Sequence, residues 1–172
     1  MKKFILAVLL TAPLSLMAQM KVGHYDLQAV VQDLPAYKTA QSELEALGKT
    51  YESNLEDMQK EYNTKLQKYQ SEINEQTPKN MVERAQKDLE EMQKKIETAA
   101  QDNQRAFQES MQQKLSPIFQ KVNDAVAAVA KEGGYIYLLD PGTMQTSQAT
   151  NFYVNPTMSE DVTAKIKAKL GL

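Results

Sequence analysis

The sequence predicts a mostly helical α+β protein, in which a long antiparallel α-helical hairpin is attached to a small oligomeric β-body. Two apolar stripes predict the hairpin, one over residues 37–73 and the other, which includes Phe107 and Met111, over residues 82–129. Both stripes advance by three or four residues, which is the spacing of one face of an α-helix. Short apolar segments near the two ends of the chain, bounded by Pro and Gly, predict the strands of the body.

The N-terminus has the pattern of a secretory signal peptide over residues 1–18. Lys2 and Lys3 form its basic start, and the predicted cleavage site follows Ala18. Its apolar stretch over residues 4–16 is too short for a membrane span, which needs about 20 residues. An uncleaved anchor is the alternative. We therefore expect export to the periplasm, with no stable membrane insertion once the signal peptide is removed.

Composition argues against several classes of protein. The chain has no cysteine, which removes disulfides and thiolate metal sites. Its formal net charge of −2 becomes −4 when Lys2 and Lys3 leave with the signal peptide, so it lacks the positive field of nucleic-acid-binding proteins. Its single histidine, His24, lacks the partners of a metal site or a catalytic triad. We predict no enzymatic activity, no catalytic residue, no cofactor, no metal and no nucleic-acid partner.

Residues 19–35 are predicted to form the first part of the body. The segment 20–26 (MKVGHYD) alternates in the way that a short strand does. Asp26 is suited to cap a short helix over residues 27–33, and Pro35 interrupts the chain after that helix.

Residues 36–132 are predicted to form the hairpin arm, with its tip near residues 75–80. Thr77 is suited to the N-cap of the second helix, and Pro78 is suited to its first position. If the chain reverses there, the two apolar stripes face each other along their whole length. Such a slender pair of helices favours reaching, clamping or scaffolding over a closed pocket.

This pairing accounts for two residues that helices usually avoid. Gly48 falls opposite Phe107, so room for the ring would explain a glycine that costs a helix about 1 kcal/mol relative to alanine. Pro117 removes a backbone donor and is predicted to kink the second helix opposite Lys38.

Residues 133–172 are predicted to complete the body. Gly133 and Gly134 end the second helix, and YIYLL over residues 135–139 is a strongly apolar strand. A further strand is predicted over residues 151–154 (NFYV).

A last helix follows, capped by Thr157 or Ser159, with Glu160 and Asp161 in its first turn. Three short strands and two short helices are too little to form a stable core alone. We therefore expect several copies of the chain to pool their strands.

The order of these elements resembles the Skp/OmpH-like family of periplasmic chaperones. The resemblance extends over essentially the whole mature chain, through MKVGHYD followed by LQAVVQDLPAYKTAQSEL, the long hairpin, YIYLLD and NPTMSEDVTAKIKAKL. It implies a homotrimer with a small β-body and three helical arms around a cavity. It also implies ATP-independent holding of unfolded outer-membrane proteins before their insertion into the outer membrane.

The charge of the chain departs from this family. The best-known members are strongly basic, whereas the isoelectric point of this chain is about 5.5. We therefore transfer no lipopolysaccharide site from the family, and the acidic composition leaves open whether clients are bound by charge.

Four residues near the predicted tip are candidates for contact with unfolded clients: Tyr69, Ile73, Met81 and Val82. The alternative is that they belong to the hairpin core, because most of the Tyr and Met residues lie on the apolar stripes. Two helices cannot fully bury residues at their tip, and Met and Tyr suit surfaces that bind many partners.

The predicted function is that of an ATP-independent periplasmic holdase, which binds unfolded outer-membrane β-barrel proteins in a cavity between helical arms. The alternative is a coiled-coil structural or adaptor protein of the cell envelope. An adaptor should carry a second apolar stripe on its outward face, where the sequence places only scattered alanines. An enzyme is least favoured, since carboxylates such as Glu90 and Glu91 lie on a solvated helix face.

Overall fold

A computed structural model describes the chain over residues 21–142, 154–155 and 157–172. The chain divides into two compact units. The terminal unit contains the chain up to Asp33 and from Gln120 onward, and the central unit contains Leu34–Phe119. The predicted signal peptide and nearly all of the strand predicted over residues 151–154 lie outside the described residues.

Helices dominate the described residues, and three short strands accompany them. In chain order the elements are β1 (Lys21–His24), α1 (Leu27–Asp33), α2 (Pro35–Glu72), α3 (Lys79–Gly133), β2 (Tyr135–Leu139), β3 (Glu160–Asp161) and α4 (Thr163–Leu170). The prediction of a mostly helical α+β fold is thus confirmed.

The strands of the terminal unit form a parallel sheet with β1 in the middle, between β2 and β3. The neighbouring strands approach β1 closely at Gly23. A Cβ atom there would lie 2.6 Å from Leu138 Cδ2 and 3.1 Å from the Glu160 carbonyl oxygen. A side chain at this position would displace the end of Leu138 and press on the backbone of β3, so glycine suits the centre of this sheet.

The core of the terminal unit draws on both ends of the chain. Its fully buried side chains are Val30, Val122, Val162 and Ile166. Each contributes about 1.5–3 kcal/mol relative to an exposed position. Helix α1 contacts α4, and α1 begins as predicted, because the Asp26 carboxylate accepts the Ala29 N–H at 2.9 Å.

The segment before the last helix differs from its prediction. Glu160 and Asp161 form β3, where they pair with Gly23 and His24 of β1, instead of the first helical turn. The helix begins at Thr163, whose N–H and hydroxyl donate to the Asp161 carboxylate at 2.9 and 2.6 Å. The acidic pair is therefore used for strand pairing and for capping from outside the helix.

The long helices of the central unit run antiparallel to each other. Three contacts between the helices show this direction: Glu43 with Lys114, Gly48 with Phe107, and Lys65 with Asp88. As the residue numbers rise along α2, those of their partners on α3 fall. Gly48 thus faces Phe107 as predicted, and the predicted register of the hairpin is confirmed.

The reason predicted for Gly48 is wrong, however. A Cβ atom at this position would lie 3.7 Å from Phe107 Cε2, which is an ordinary van der Waals distance. The ring therefore leaves enough room for alanine, and the packing of Phe107 does not require a glycine.

The contact face of α3 also departs from the predicted stripe at Met111. This side chain is 42% exposed, whereas Ser110 and Lys114 are half-buried and Lys114 reaches Glu43 of α2. Positions three and four residues apart share a helix face, so Phe107 is followed on the contact line by Ser110 and Lys114. Met111 lies beside that line, on the surface of the central unit.

Helix α3 is continuous through Pro117, so this proline does not break the helix. The kink predicted there stays a prediction. The helix ends at Gly133, and Gly134 follows it with a φ of +66°, a left-handed conformation that suits glycine. The predicted glycine stop is therefore confirmed.

Candidate functional site

The four candidate client-contacting residues lie on the two sides of the connection between α2 and α3, and together we call them the tip site. Tyr69 is in the last turn of α2, and Ile73 is the C-cap residue that follows the helix. Met81 and Val82 are in the first turn of α3. The structure thus brings all four to the same end of the hairpin.

The connection itself is held by its own hydrogen bonds. The Asn74 N–H donates to the Thr77 hydroxyl at 2.9 Å, and the Thr77 N–H donates to the Asn74 carbonyl at 3.0 Å. The Gln76 N–H donates to the Asn74 side chain at 2.9 Å. These bonds satisfy backbone groups that a loop would otherwise leave to water, so the two helix ends are joined by a defined turn.

The start of α3 differs in detail from its prediction. The Thr77 hydroxyl accepts the Asn74 N–H inside the turn. The amides of Met81 and Val82, the third and fourth residues of the helix, instead donate to the Pro78 carbonyl at 2.9 and 3.3 Å. The first residue of the helix is Lys79, one position after Pro78.

Three polar side chains join α2 to α3 just below the tip. The Lys65 ammonium lies 2.6 Å from Asp88 Oδ2, and the Tyr69 hydroxyl donates to the same oxygen at 2.7 Å. The hydrogen bond from Lys65, followed by that from Tyr69, holds the pKa of the Asp88 carboxyl below its usual value. Asp88 in turn raises the pKa of Lys65 and of Tyr69. An ionised Asp88 therefore ties the two helices together.

The members of the tip site differ in what they offer to a partner. Tyr69, Ile73 and Val82 are half-buried, and the hydroxyl of Tyr69 is already engaged by Asp88. Met81 is 57% exposed. A flexible thioether at the rim of half-buried apolar side chains can adapt to many apolar partners without a fixed geometry. Met81 is therefore the principal free contact surface of the tip site.

The side chains of the tip site are not arranged for catalysis. Its four side chains are apolar or phenolic, and none is a base or an activated nucleophile. In the described part of the chain, no three His, Cys, Asp or Glu side chains are grouped so that they could hold a metal ion. What the tip site can do is make weak apolar contacts.

Sequence reasoning missed two exposed apolar features. Ile136 and Tyr137 of β2 are 52% and 59% exposed, although YIYLL is a strongly apolar segment. Among the described strands, β2 has only β1 as a neighbour. Met111 is the second feature, and no sequence signal marks it, because Ser110 and Met111 both follow Phe107 at a helical spacing.

A charged cluster fastens the sheet of the terminal unit to its last helix. Glu160 lies 3.0 Å from the Lys21 ammonium and 2.5 Å from that of Lys165. Lys165 also donates to the Tyr135 hydroxyl at 3.1 Å, and Lys21 lies 4.1 Å from the centre of the Tyr135 ring. Hydrogen bonds from Lys165, Tyr135 and Lys21 lower the pKa of Glu160 to about 2. One carboxylate therefore links β1, β3 and α4.

These features define a class of α+β proteins, in which a long antiparallel helical hairpin accompanies a small parallel sheet built from both ends of the chain. Residues 21–170 match the family described as outer membrane protein (OmpH-like). The chain belongs to this OmpH-like family.

A solved structure shares the fold. It is that of a candidate outer membrane chaperone (OmpH-like) from Caulobacter crescentus CB15, with a TM-score of 0.63 and 18% sequence identity over 89% of this chain and 85% of that chain. No curated protein sequence matches the chain significantly. None of the described helices is long and apolar enough to cross a membrane.

Proposed function

We propose that this protein is an ATP-independent holdase of the periplasm that binds unfolded outer-membrane β-barrel proteins. The observation that carries the proposal is the match to the OmpH-like family over residues 21–170. The description of the Caulobacter protein as a candidate outer membrane chaperone agrees with it. The signal peptide predicted over residues 1–18 supports the periplasmic location.

The hairpin of the central unit supports this function physically. The four side chains of its tip site are largely apolar and lie beside a defined turn, and the exposed Met81 adapts to different side chains. Each contact contributes about 1 kcal/mol or less, but contacts from several arms add up because they act on one tethered client. Release requires no nucleotide when the client folds into a membrane.

We also propose that the protein works as a homotrimer whose helical arms enclose the client. Ile136 and Tyr137 leave a large apolar area exposed on β2, which supports burial of this strand between copies. The mass of the mature protein in solution tests this step. A well-folded monomer at working concentrations would overturn it.

The holdase activity is tested by diluting an unfolded β-barrel protein out of denaturant, with and without this protein and in the absence of ATP. Light scattering reports aggregation. We expect aggregation to be suppressed at about one trimer per client. Unchanged scattering would reject the holdase, and tight binding to a helical envelope protein would then favour the adaptor.

The tip site is tested by changing Ile73, Met81 and Val82 to serine together. Tyr69 is kept, because its replacement would also remove the hydrogen bond to Asp88. A loss of client binding could then not be distinguished from a loss of stability. Met158→Ser is the matched control, since Met158 is 81% exposed but belongs to the terminal unit. We expect the triple variant to capture clients less well and the control to behave as wild type. Equal capture by both would exclude the tip site.

A further inference from the structure

The chain concentrates its susceptibility to oxidation in methionine. It contains nine Met residues and neither Cys nor Trp. Thiols are normally the first side chains that peroxides attack, and methionine thioethers follow them. In this protein an oxidant therefore meets methionine first.

The described methionines fall into two groups by exposure. Met81, Met111 and Met158 are 57%, 42% and 81% exposed. Met58 and Met92 are half-buried on the facing sides of α2 and α3. Oxidation follows exposure of the sulfur, so the first group should react faster than the second. Within the first group, only Met81 belongs to the tip site.

We propose that Met81 is an oxidant-sensitive site, at which a hydroperoxide converts the thioether to a sulfoxide and thereby weakens polypeptide binding. This inference rests on the proposed holdase function and on the position of Met81 in the tip site. It adds a chemical control of binding that requires neither a cofactor nor a second protein.

The reaction is balanced with the hydroperoxide as the oxidant. A lone pair of the Met81 sulfur attacks one peroxide oxygen, the O–O bond breaks and an S–O bond forms. The sulfur is oxidised by two electrons, and the peroxide is reduced by two. The other oxygen leaves as water or an alcohol after it takes up a proton.

The sulfoxide at Met81 makes the most exposed side chain of the tip site polar. A sulfoxide is polar and accepts hydrogen bonds, so it keeps its water instead of packing against an apolar client side chain. Met81 contributes its backbone N–H to the Pro78 carbonyl, and its side chain is mostly outside the core. Oxidation should therefore alter binding and leave the helices folded.

The test treats the mature protein with hydrogen peroxide and maps sulfoxides by peptide mass over time. Client capture is followed by light scattering on the same samples. Met81→Leu keeps the apolar volume without the sulfur, and Met158→Leu is the matched control in the terminal unit. A methionine sulfoxide reductase mixture is then added to restore the thioether.

We expect Met81 to oxidise several-fold faster than Met58 and Met92. We expect the apparent client affinity of wild type and of Met158→Leu to fall about two- to tenfold and to recover after reduction. The affinity of Met81→Leu should be the same before and after peroxide treatment, whatever its value in the untreated variant.

Equal oxidation rates at Met81, Met58 and Met92 would overturn the inference, and so would an equal loss of capture in Met81→Leu. If the untreated protein captures no client, the holdase proposal fails by itself, whereas the mass map still decides whether Met81 is the reactive residue.

Discussion

Replacing Gly48 with alanine tests how closely the two long helices of the central unit approach each other. Glycine in the middle of a helix costs about 0.8–1.0 kcal/mol relative to alanine. The added Cβ would lie 3.7 Å from Phe107 Cε2, a distance at which contact is weakly favourable. No strain offsets the gain, so Gly48→Ala should stabilise the protein by about 1 kcal/mol.

Urea unfolding followed by the helical circular dichroism signal measures this difference. The midpoint should rise with an unchanged slope, and the melting temperature should rise by about 2–4 °C for a chain of this length. Both proteins must be compared at one concentration, since an oligomer gains stability as concentration rises. A lower midpoint for Gly48→Ala would mean that the Phe107 ring lies closer to α2, and the reasoning would be refuted.

Three further changes have defined outcomes. Gly23→Ala should destabilise the protein by about 1–3 kcal/mol, because its Cβ would displace the Leu138 side chain and lie 3.1 Å from the Glu160 carbonyl oxygen; an unchanged urea midpoint would contradict the sheet packing. Glu160 has its pKa lowered from 4.5 to about 2, so its ion pairs stabilise the fold fully above about pH 4.5 and are lost as the pH falls towards 2. Glu160→Gln should flatten the dependence of the midpoint on pH in that window, and a wild-type profile in the variant would argue against this role. Tyr69→Phe should lower the midpoint slightly through the lost hydrogen bond to Asp88 while client capture stays unchanged; a loss of capture without a change in midpoint would assign the hydroxyl to binding.

The long helices could be predicted because their signal repeats many times. Two stripes of apolar residues fix the helical face, and the turn at Thr77 and Pro78 fixes where the chain reverses. The facing of Gly48 and Phe107 followed from these alone. A stripe defines the average contact face of a helix, however, and can misplace a single residue. It placed Met111 on the contact face, because a step of four residues was assumed where the helix uses a step of three to Ser110.

Strand β3 shows why other parts could not be predicted. It has two residues, and both are acidic, so neither length nor apolar pattern marks it. Glu160 and Asp161 are strand residues only because β1 lies beside them and because Lys21 and Lys165 surround the Glu160 carboxylate. This pairing depends on segments that are far away in the sequence. The neighbouring residues alone therefore predict the start of a helix.

The position of the four tip-site residues could be predicted from the sequence. The hydrogen-bond partner and the exposure of each side chain could not. The stripe indicates that Tyr69 and Met81 are near the reversal, and says nothing about the partner of each side chain. In the structure the Tyr69 hydroxyl donates a hydrogen bond to Asp88, and Met81 is largely exposed. A hydrogen bond between two helices depends on their separation and rotation, which periodicity does not fix.

The central place of β1 in its sheet has a consequence for the timing of folding. This strand opens the described chain, and its two neighbours are made more than a hundred residues later. The hairpin of the central unit needs only Leu34–Phe119 and can form before the rest of the chain is made, whereas β1 must wait for the final segment of the polypeptide. A chain cut before Ser159 would keep both long helices and lose β3, Val162 and Ile166. The pairing of one short strand therefore distinguishes a finished chain from a fragment.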